Sequence, residues 1–287
     1  AQMVARGGPS APMLAALLAE RDPLRGVGVD LARRMTALQA SRPEPAAHAP
    51  TLARIRQDAK RLTKGQTLNG PDDLGVLVAL AYPDRVGLRR KGDAPRYVLS
   101  GGKGAIMAED DALAGERLLV VTDLDGDPRE AKLRQAARQT EAEQRATIPD
   151  QIIWHDLCLW AKRENRVLAR RQERFGAVVL DDRTWSDAPA DQVARAMLDG
   201  VAQLGLTPSA PAQRFLARAR AMPSPFPDFS EAHLMETLEA WLMPHLAGVR
   251  SAADWKAFDL LPALRARLDW DAQQALDAAY PSHFMTP

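Results

Sequence analysis

The residues of this chain whose types and spacing could do chemistry are mostly cationic. Arg85, Arg89, Arg90, Lys91, Arg96 and Lys103 fall within one short segment whose one acid is Asp93. A second concentration holds Lys162, Arg163, Arg166, Arg170, Arg171 and Arg174 against Glu164 and Glu173. Clustered guanidinium and ammonium groups hold phosphates, and the release of counterions makes that binding weaken with salt. On a strand, Arg166, Leu168, Arg170 and Gln172 share one face. Tyr82, Tyr97 and Trp160 are expected to offer stacking surfaces nearby. The residues alone leave a second reading open, in which these are ordinary charged faces of a sheet.

No other chemistry assembles from the motifs. A phosphate-cradling G-x-x-x-x-G-K-[ST] loop is missing, because Gly101-Gly102-Lys103-Gly104 has the lysine without the spacing or the hydroxyl. That stretch reads as a hairpin turn. Neither H-E-x-x-H nor G-x-S-x-G occurs. His48, His155, His233, His245 and His283 include no pair at i, i+4. His155 reads as a surface or core side chain, since nothing links it to a nucleophile. The run Asp123-Leu124-Asp125-Gly126-Asp127 starts like a calcium loop, but Arg134 stands where the twelfth-position glutamate is needed. It reads as a solvated turn. One cysteine, Cys158, excludes an internal disulfide and a cysteine zinc site.

The elements that must position the cations follow from periodicity. Leu14, Leu17 and Leu18 recur at helical spacing over 11–21, with Ser10 as the expected cap. Leu31, Met35 and Leu38 repeat the pattern over 30–39. Leu52, Ile55, Ala59 and Leu62 form a narrow stripe on a third helix over 52–62, whose other faces carry Arg54, Arg56, Lys60 and Arg61. A further apolar helix is expected over 72–82. The period then shifts towards two at 85–89, 96–100 and 117–124. Residues 129–137 fit strand or helix, 140–148 a helix, and 152–180 three strands. Five or six short strands with one helix suit a small barrel or a curved sheet. Helices return over 191–204, 212–222, 230–243 and 255–268. Trp241, Trp255 and Trp270, set among Leu, Met and Phe, are expected in the core. The apolar tail from Tyr280 is expected to dock on its own domain or to lead into further chain.

A length of 287 residues is enough for two or three domains. The composition, 46% hydrophobic and 26% charged, is that of a globular protein. No run approaches the roughly 18 apolar residues of a membrane span, and no signal-peptide pattern opens the chain. With the single cysteine this leads to the expectation of a cytoplasmic protein with no membrane partner. Residues 1–185 hold 30 Lys/Arg and 25 Asp/Glu, a net of +5, and residues 186–287 hold 8 and 12, a net of −4. The asymmetry points to an anionic partner for the first part.

Several blocks together resemble one family. Leu77-Val-Ala-Leu-Ala-Tyr-Pro-Asp-Arg-Val86 is similar to a signature of bacterial HrpB-type DEAH-box helicases. So are Leu17 to Leu24, Arg96 to Ala105, Glu109 to Glu116, Leu119 to Gly126 and Arg171 to Leu180. Phe226 to Ser230, Trp241 to Pro244, Leu260 to Leu264 and Pro281 to Phe284 follow in family order. The resemblance implies a C-terminal, non-motor fragment that stops before the family's last block. Its fold class is then α+β multidomain: a helical ratchet-like segment over 1–70, a small antiparallel OB-like β-barrel domain over 71–185, and an HrpB-specific helical domain over 186–287.

No cofactor is expected in this part, since ATP and Mg belong to the RecA-like motor domains of the parent. The expected partners are single-stranded RNA or DNA and those motor domains, and the fragment alone is expected to be non-catalytic. Phosphate contacts are expected from Arg85, Arg89, Arg90, Arg96 and Lys103, then from Arg166 and Arg170, with the basic helix over 52–62 beside them. The alternative is a protein-interaction module that docks a partner, or the motor, through its acidic C-terminal helices.

Overall fold

The computed structural model describes residues 2–127 and 129–281. Helices α1 (Gln2–Arg6), α2 (Ala11–Ala19), α3 (Leu31–Gln39), α4 (Ala49–Thr63) and α5 (Leu74–Ala81) precede five strands. These are β1 (Val86–Arg89), β2 (Arg96–Leu99), β3 (Gly104–Ile106), β4 (Leu118–Leu124) and β5 (Glu130–Gln139). Helix α6 (Glu141–Thr147) leads into β6 (Ile152–Ala161), β7 (Arg166–Phe175) and β8 (Val178–Thr184). The remainder is helical: α7 (Ala190–Leu204), α8 (Ala210–Ala221), α9 (Glu231–Glu236), α10 (Leu238–Trp241), α11 (Ala252–Ala257), α12 (Leu261–Arg265) and α13 (Trp270–Ala279). Two compact units result. One holds the residues up to His155 with Gln172–Asp182, and the other holds Asp156–Arg171 with the chain from Arg183.

In the first unit the helices bury most of the stripes their sequence announces, although Leu62, expected in the third stripe, stands 39% exposed and Leu18 is only half-buried. Leu14 and Leu17 of α2, Leu31, Met35 and Leu38 of α3, and Leu52, Ile55 and Ala59 of α4 share one core. Asp30 starts α3 by accepting from the Ala32 amide at 2.8 Å, which satisfies one orphan donor of the first turn. Ser10 does not act as the expected side-chain cap. Its hydroxyl donates instead to Asp72 at 3.0 Å, tying the start of α2 to the approach of α5. Arg34 is buried and reaches Asp22 with both Nε and Nη2, the latter at 2.7 Å. Helix α4 is less free to bind an anion than its charge suggests. Arg56 donates to the carbonyls of Leu38 and Ala40, each at 2.8 Å, closing the end of α3, and Arg54 pairs with Glu20 at 3.4 Å.

The five strands close into a barrel in the order β1-β2-β3-β5-β4, with β4 returning to β1. The barrel is not wholly antiparallel as expected, because β3 runs parallel to β5, with Ala105 opposite Ala131. The barrel residues Tyr97, Leu99, Leu119 and Val121 pack with Val29, Met107 and Leu113 in one core. Their neighbours Val86, Leu118 and Val120 face the other way, into the core of Leu77 and Val78 of α5 and Phe175, Val178 and Leu180. Strand β4 is therefore covered on both faces, which is why four consecutive apolar residues suit it better than alternation. Two expectations needed extension: β3 was hidden in the glycine turn, and 129–137 is strand β5. The turn itself sits at Gly102, where φ is +92°.

Gly176 joins β7 to β8 at φ +54°, and a Cβ there would lie 2.3 Å from the Ser100 carbonyl oxygen. Gly176→Ala is expected to lower stability by about 2 kcal/mol, since strain and clash coincide. A thermal melt reads this directly, and an unchanged midpoint would show that the turn yields at no cost.

In the second unit Trp160, Trp241 and Trp255 sit in the core, and their indole N–H groups donate to Gln203, the Leu234 carbonyl and the Gly205 carbonyl at 2.9–3.0 Å. Trp270 departs from expectation, standing 72% exposed at the start of α13. The helices expected over 230–243 and 255–268 are each broken in two. Thr237 interrupts the first, its hydroxyl donating to the His233 carbonyl at 2.6 Å. Asp259 interrupts the second by accepting from the Leu261 amide at 3.1 Å, and Pro262 then opens α12. Tyr280 donates its hydroxyl to the Ala221 carbonyl at 3.2 Å, and residues 282–287 of the tail lie outside the described residues.

Candidate nucleic-acid interface

Strand β1 runs into the β1–β2 loop with three successive cations, Arg89, Arg90 and Lys91. The loop is closed where the Arg90 amide donates to the Arg96 carbonyl at 2.7 Å. Because β1 also pairs with β4, the Arg89 amide reaches the Arg117 carbonyl at 2.9 Å. Arg117 thus joins the group from 26 residues further along the chain. These four cations line a cleft of about 760 Å³ with Leu88, Val98 and Val179 among its apolar residues and Asp181 and Asp182 as its acids. Arg90 and Lys91 are exposed. Arg117 is anchored from two sides, by the Leu180 carbonyl at 3.3 Å and by Glu141 at 3.4 Å. Arg89 donates through Nη2 to the Asp93 carbonyl at 3.0 Å and keeps its buried Nε without a partner. An apolar strip edged by four cations and two acids is a shape that can track a phosphodiester chain.

The other sequence-predicted residues are distributed elsewhere. Arg85 and Lys103 line a separate cleft of about 480 Å³ with Asp84, Asp123 and Asp125, where carboxylates outnumber cations. Arg85 is also committed locally, donating to the Thr122 carbonyl at 2.7 Å while its guanidinium lies 4.8 Å from the Tyr82 ring centre. Arg96, on β2, pairs with Glu130 at 3.3 Å. Arg166 and Arg170 belong to the second unit, where Arg166 bridges to Ser251 and Arg170 donates to Thr184 at 3.3 Å.

Two of the three expected stacking surfaces are withdrawn. Tyr97 is fully buried, and Trp160 is a core residue. The Tyr97 hydroxyl lies among the carbonyls of Leu113 and Glu116, at 3.2 and 3.0 Å, and burial pushes its pKa up to about 12. Two carboxylates of the Asp123–Asp127 stretch accept from the backbone just after it: Asp125 from the Lys132 amide and Asp127 from the Arg129 amide, each at 2.8 Å. Burial pushes the Cys158 thiol up, away from thiolate chemistry.

Of the cations in the larger cleft, Lys91 was visible in the basic run. Arg117 carried no local signal, and only the β1–β4 register reveals it.

Over 247 residues, 81% of its length, the chain is 30% identical to the ATP-dependent RNA helicase HrpB of Escherichia coli. Residues 241–287 match the HrpB_C family, described as an ATP-dependent helicase C-terminal region. The chain is similar to the HrpB-type helicases. It corresponds to their C-terminal part, and it spans about 30% of the length of the E. coli relative. The crystal structure of the E. coli DExH-box NTPase HrpB superposes with a TM-score of 0.51 at 28% identity, covering 98% of this chain and 35% of that one. A second crystal structure, of the E. coli DEAH/RHA helicase HrpB, gives 0.49 at 29% identity, covering 96% and 34%. Within the HrpB-type blocks, the Leu77–Val86 run supplies buried α5 and the start of β1, and Leu119–Val121 lies in strand β4. Trp241 and Leu264 belong to the second unit's core, and 282–284 lie outside the described residues.

Among the described residues no helix is long and apolar enough to cross a membrane.

Proposed function

We propose that this chain is the accessory, non-motor part of a cytoplasmic ATP-dependent helicase, and that its barrel unit contributes to holding single-stranded RNA or DNA. The observation that carries the reading is the cleft of Arg89, Arg90, Lys91 and Arg117 beside an apolar strip. The strand order β1-β2-β3-β5-β4 with closure on β1 supports an OB-like assignment, and in such barrels the β1–β2 loop is one of the nucleic-acid loops. In this proposal the phosphates are gripped and the bases are not read, so binding is indifferent to sequence. ATP and Mg are handled by the RecA-like motor domains of the parent, which this part adjoins, and the part alone turns over no nucleotide.

A fluorescence-anisotropy titration with labelled single-stranded RNA at several salt concentrations tests the reading. Binding in the micromolar range is expected, with an affinity that falls steeply as salt rises, by about 0.7 in log–log slope for each phosphate held. Absence of binding at low salt would refute it. The competing docking role has its own support in Trp270, an aromatic left 72% exposed in the net-acidic C-terminal helices. A large exposed aromatic is a common anchor for a protein partner.

A further inference from the structure

The second unit contains a cleft of about 460 Å³ whose lining includes His233, Thr237, Trp241, His245 and Arg267, and no lining residue among those described is acidic. Its size falls within the range of small-molecule sites. Arg267 is fixed rather than mobile. It lies 5.2 Å from the Phe229 ring centre and 5.9 Å from that of Trp241, and it donates through Nη1 to the Thr237 hydroxyl at 3.4 Å and through Nη2 to the Asp228 carbonyl at 3.1 Å. A guanidinium has five N–H groups. Two are engaged here, and Nε is buried with no partner, so the group is short of acceptors.

No carboxylate makes up the deficit. Asp228 interacts through its charge with both His233 and Arg267, but its carboxyl oxygens accept from the Ser230 amide at 2.7 Å and the Ser230 hydroxyl at 3.0 Å and make no hydrogen bond to either group. The Thr237 hydroxyl proton goes to the His233 carbonyl, and the Trp241 indole N–H goes to Leu234. His233 and His245 line the cleft with Arg267, and neither imidazole has a hydrogen-bond partner among the described residues.

We propose that this cleft binds a phosphate group, held between the Arg267 guanidinium and the imidazoles of His233 and His245. A tetrahedral oxyanion has enough oxygens for all three donors, whereas a carboxylate is satisfied by the guanidinium fork alone. The source is inorganic phosphate or a small phosphate monoester, and the site is independent of the barrel cleft because every residue it uses lies in the second unit.

The test is a titration of the full chain with inorganic phosphate and, separately, with glycerol 3-phosphate, reading the side-chain nitrogen signals of the histidines by NMR. His233 and His245 signals are expected to move saturably at millimolar concentrations or below while His48 and His155 stay in place. Tighter binding of one ligand names the source. Acetate at equal concentration is expected to leave all four unmoved. His245→Gln is expected to weaken binding at least fivefold with an unchanged melt, and Arg267→Lys, which keeps the charge and loses the fork, to do the same if it folds. Failure to saturate, equal movement with acetate, or unaltered affinity in His245→Gln would overturn the proposal.

Discussion

Asp22→Ala is expected to destabilise the first unit by about 3 kcal/mol, because it strands a buried guanidinium. Arg34 is only 3% exposed, and Asp22 accepts from it at 3.3 Å and 3.2 Å through Nε and at 2.7 Å through Nη2. The remaining hydrogen bond, from Nη1 to the Asp30 carbonyl at 2.9 Å, does not neutralise the charge. The pair also sets a pH dependence. Burial by itself raises the Asp22 pKa, but the Arg34 guanidinium, the Leu24 amide and Gln135 more than reverse this and hold the carboxyl below its ordinary range. A carboxyl with a depressed folded pKa contributes stability that is fully present above its unfolded value of roughly 4. That contribution disappears as the pH falls through the folded value. Chemical denaturation of the native chain and of Asp22→Asn should therefore differ most near neutrality and converge on acidification. A constant gap across that range would show that the two groups are not coupled in this way.

The second large effect concerns binding. Reversing Arg90, Lys91 and Arg117 together to glutamate is expected to weaken single-stranded RNA binding about 100-fold at low salt. The log–log salt slope should flatten by about 2, near 0.7 for each phosphate no longer held. Arg90 and Lys91 are exposed, so their replacement leaves the fold intact; Arg117 gives up its hydrogen bond to the Leu180 carbonyl and a partly exposed pair with Glu141 that is worth roughly 0–1 kcal/mol. Circular dichroism confirms the fold before the titration is read. Reversing Arg85 and Lys103 is the informative control. Their cleft already contains Asp84, Asp123 and Asp125, so affinity there should change far less. If the control reversal costs as much as the first, the binding surface is the acidic cleft's neighbourhood and the larger cleft is not the interface.

Much of the local structure was legible because it rests on short-range periodicity. The stripes of Leu14/Leu17, Leu31/Met35/Leu38 and Leu52/Ile55/Ala59 are spaced so that only a helix buries them together, and those helices form. The apolar run from Leu118 needed a strand covered on both faces, and β4 is one. Errors arose where a local pattern met a competing side-chain bond. Thr237 and Asp259 each turn the backbone with an oxygen that helical periodicity does not register, so two expected long helices became four short ones.

The candidate interface was legible only in part, for a reason of geometry. Arg89, Arg90 and Lys91 are neighbours in the chain, and their proximity survives any fold. Arg117 joins them because Leu88 pairs with Leu118 across β1 and β4, a long-range register that no local window contains. Tyr97 looked available for stacking until alternation on β2 turned it inward. The amino-acid sequence by itself determined the family resemblance, the helical–β–helical order and the supply of cations without a complete catalytic motif. Only the tertiary structure decided which cations share a cleft, which are spent on carbonyls, and which aromatics are buried, since those outcomes depend on pairings between residues far apart in the chain.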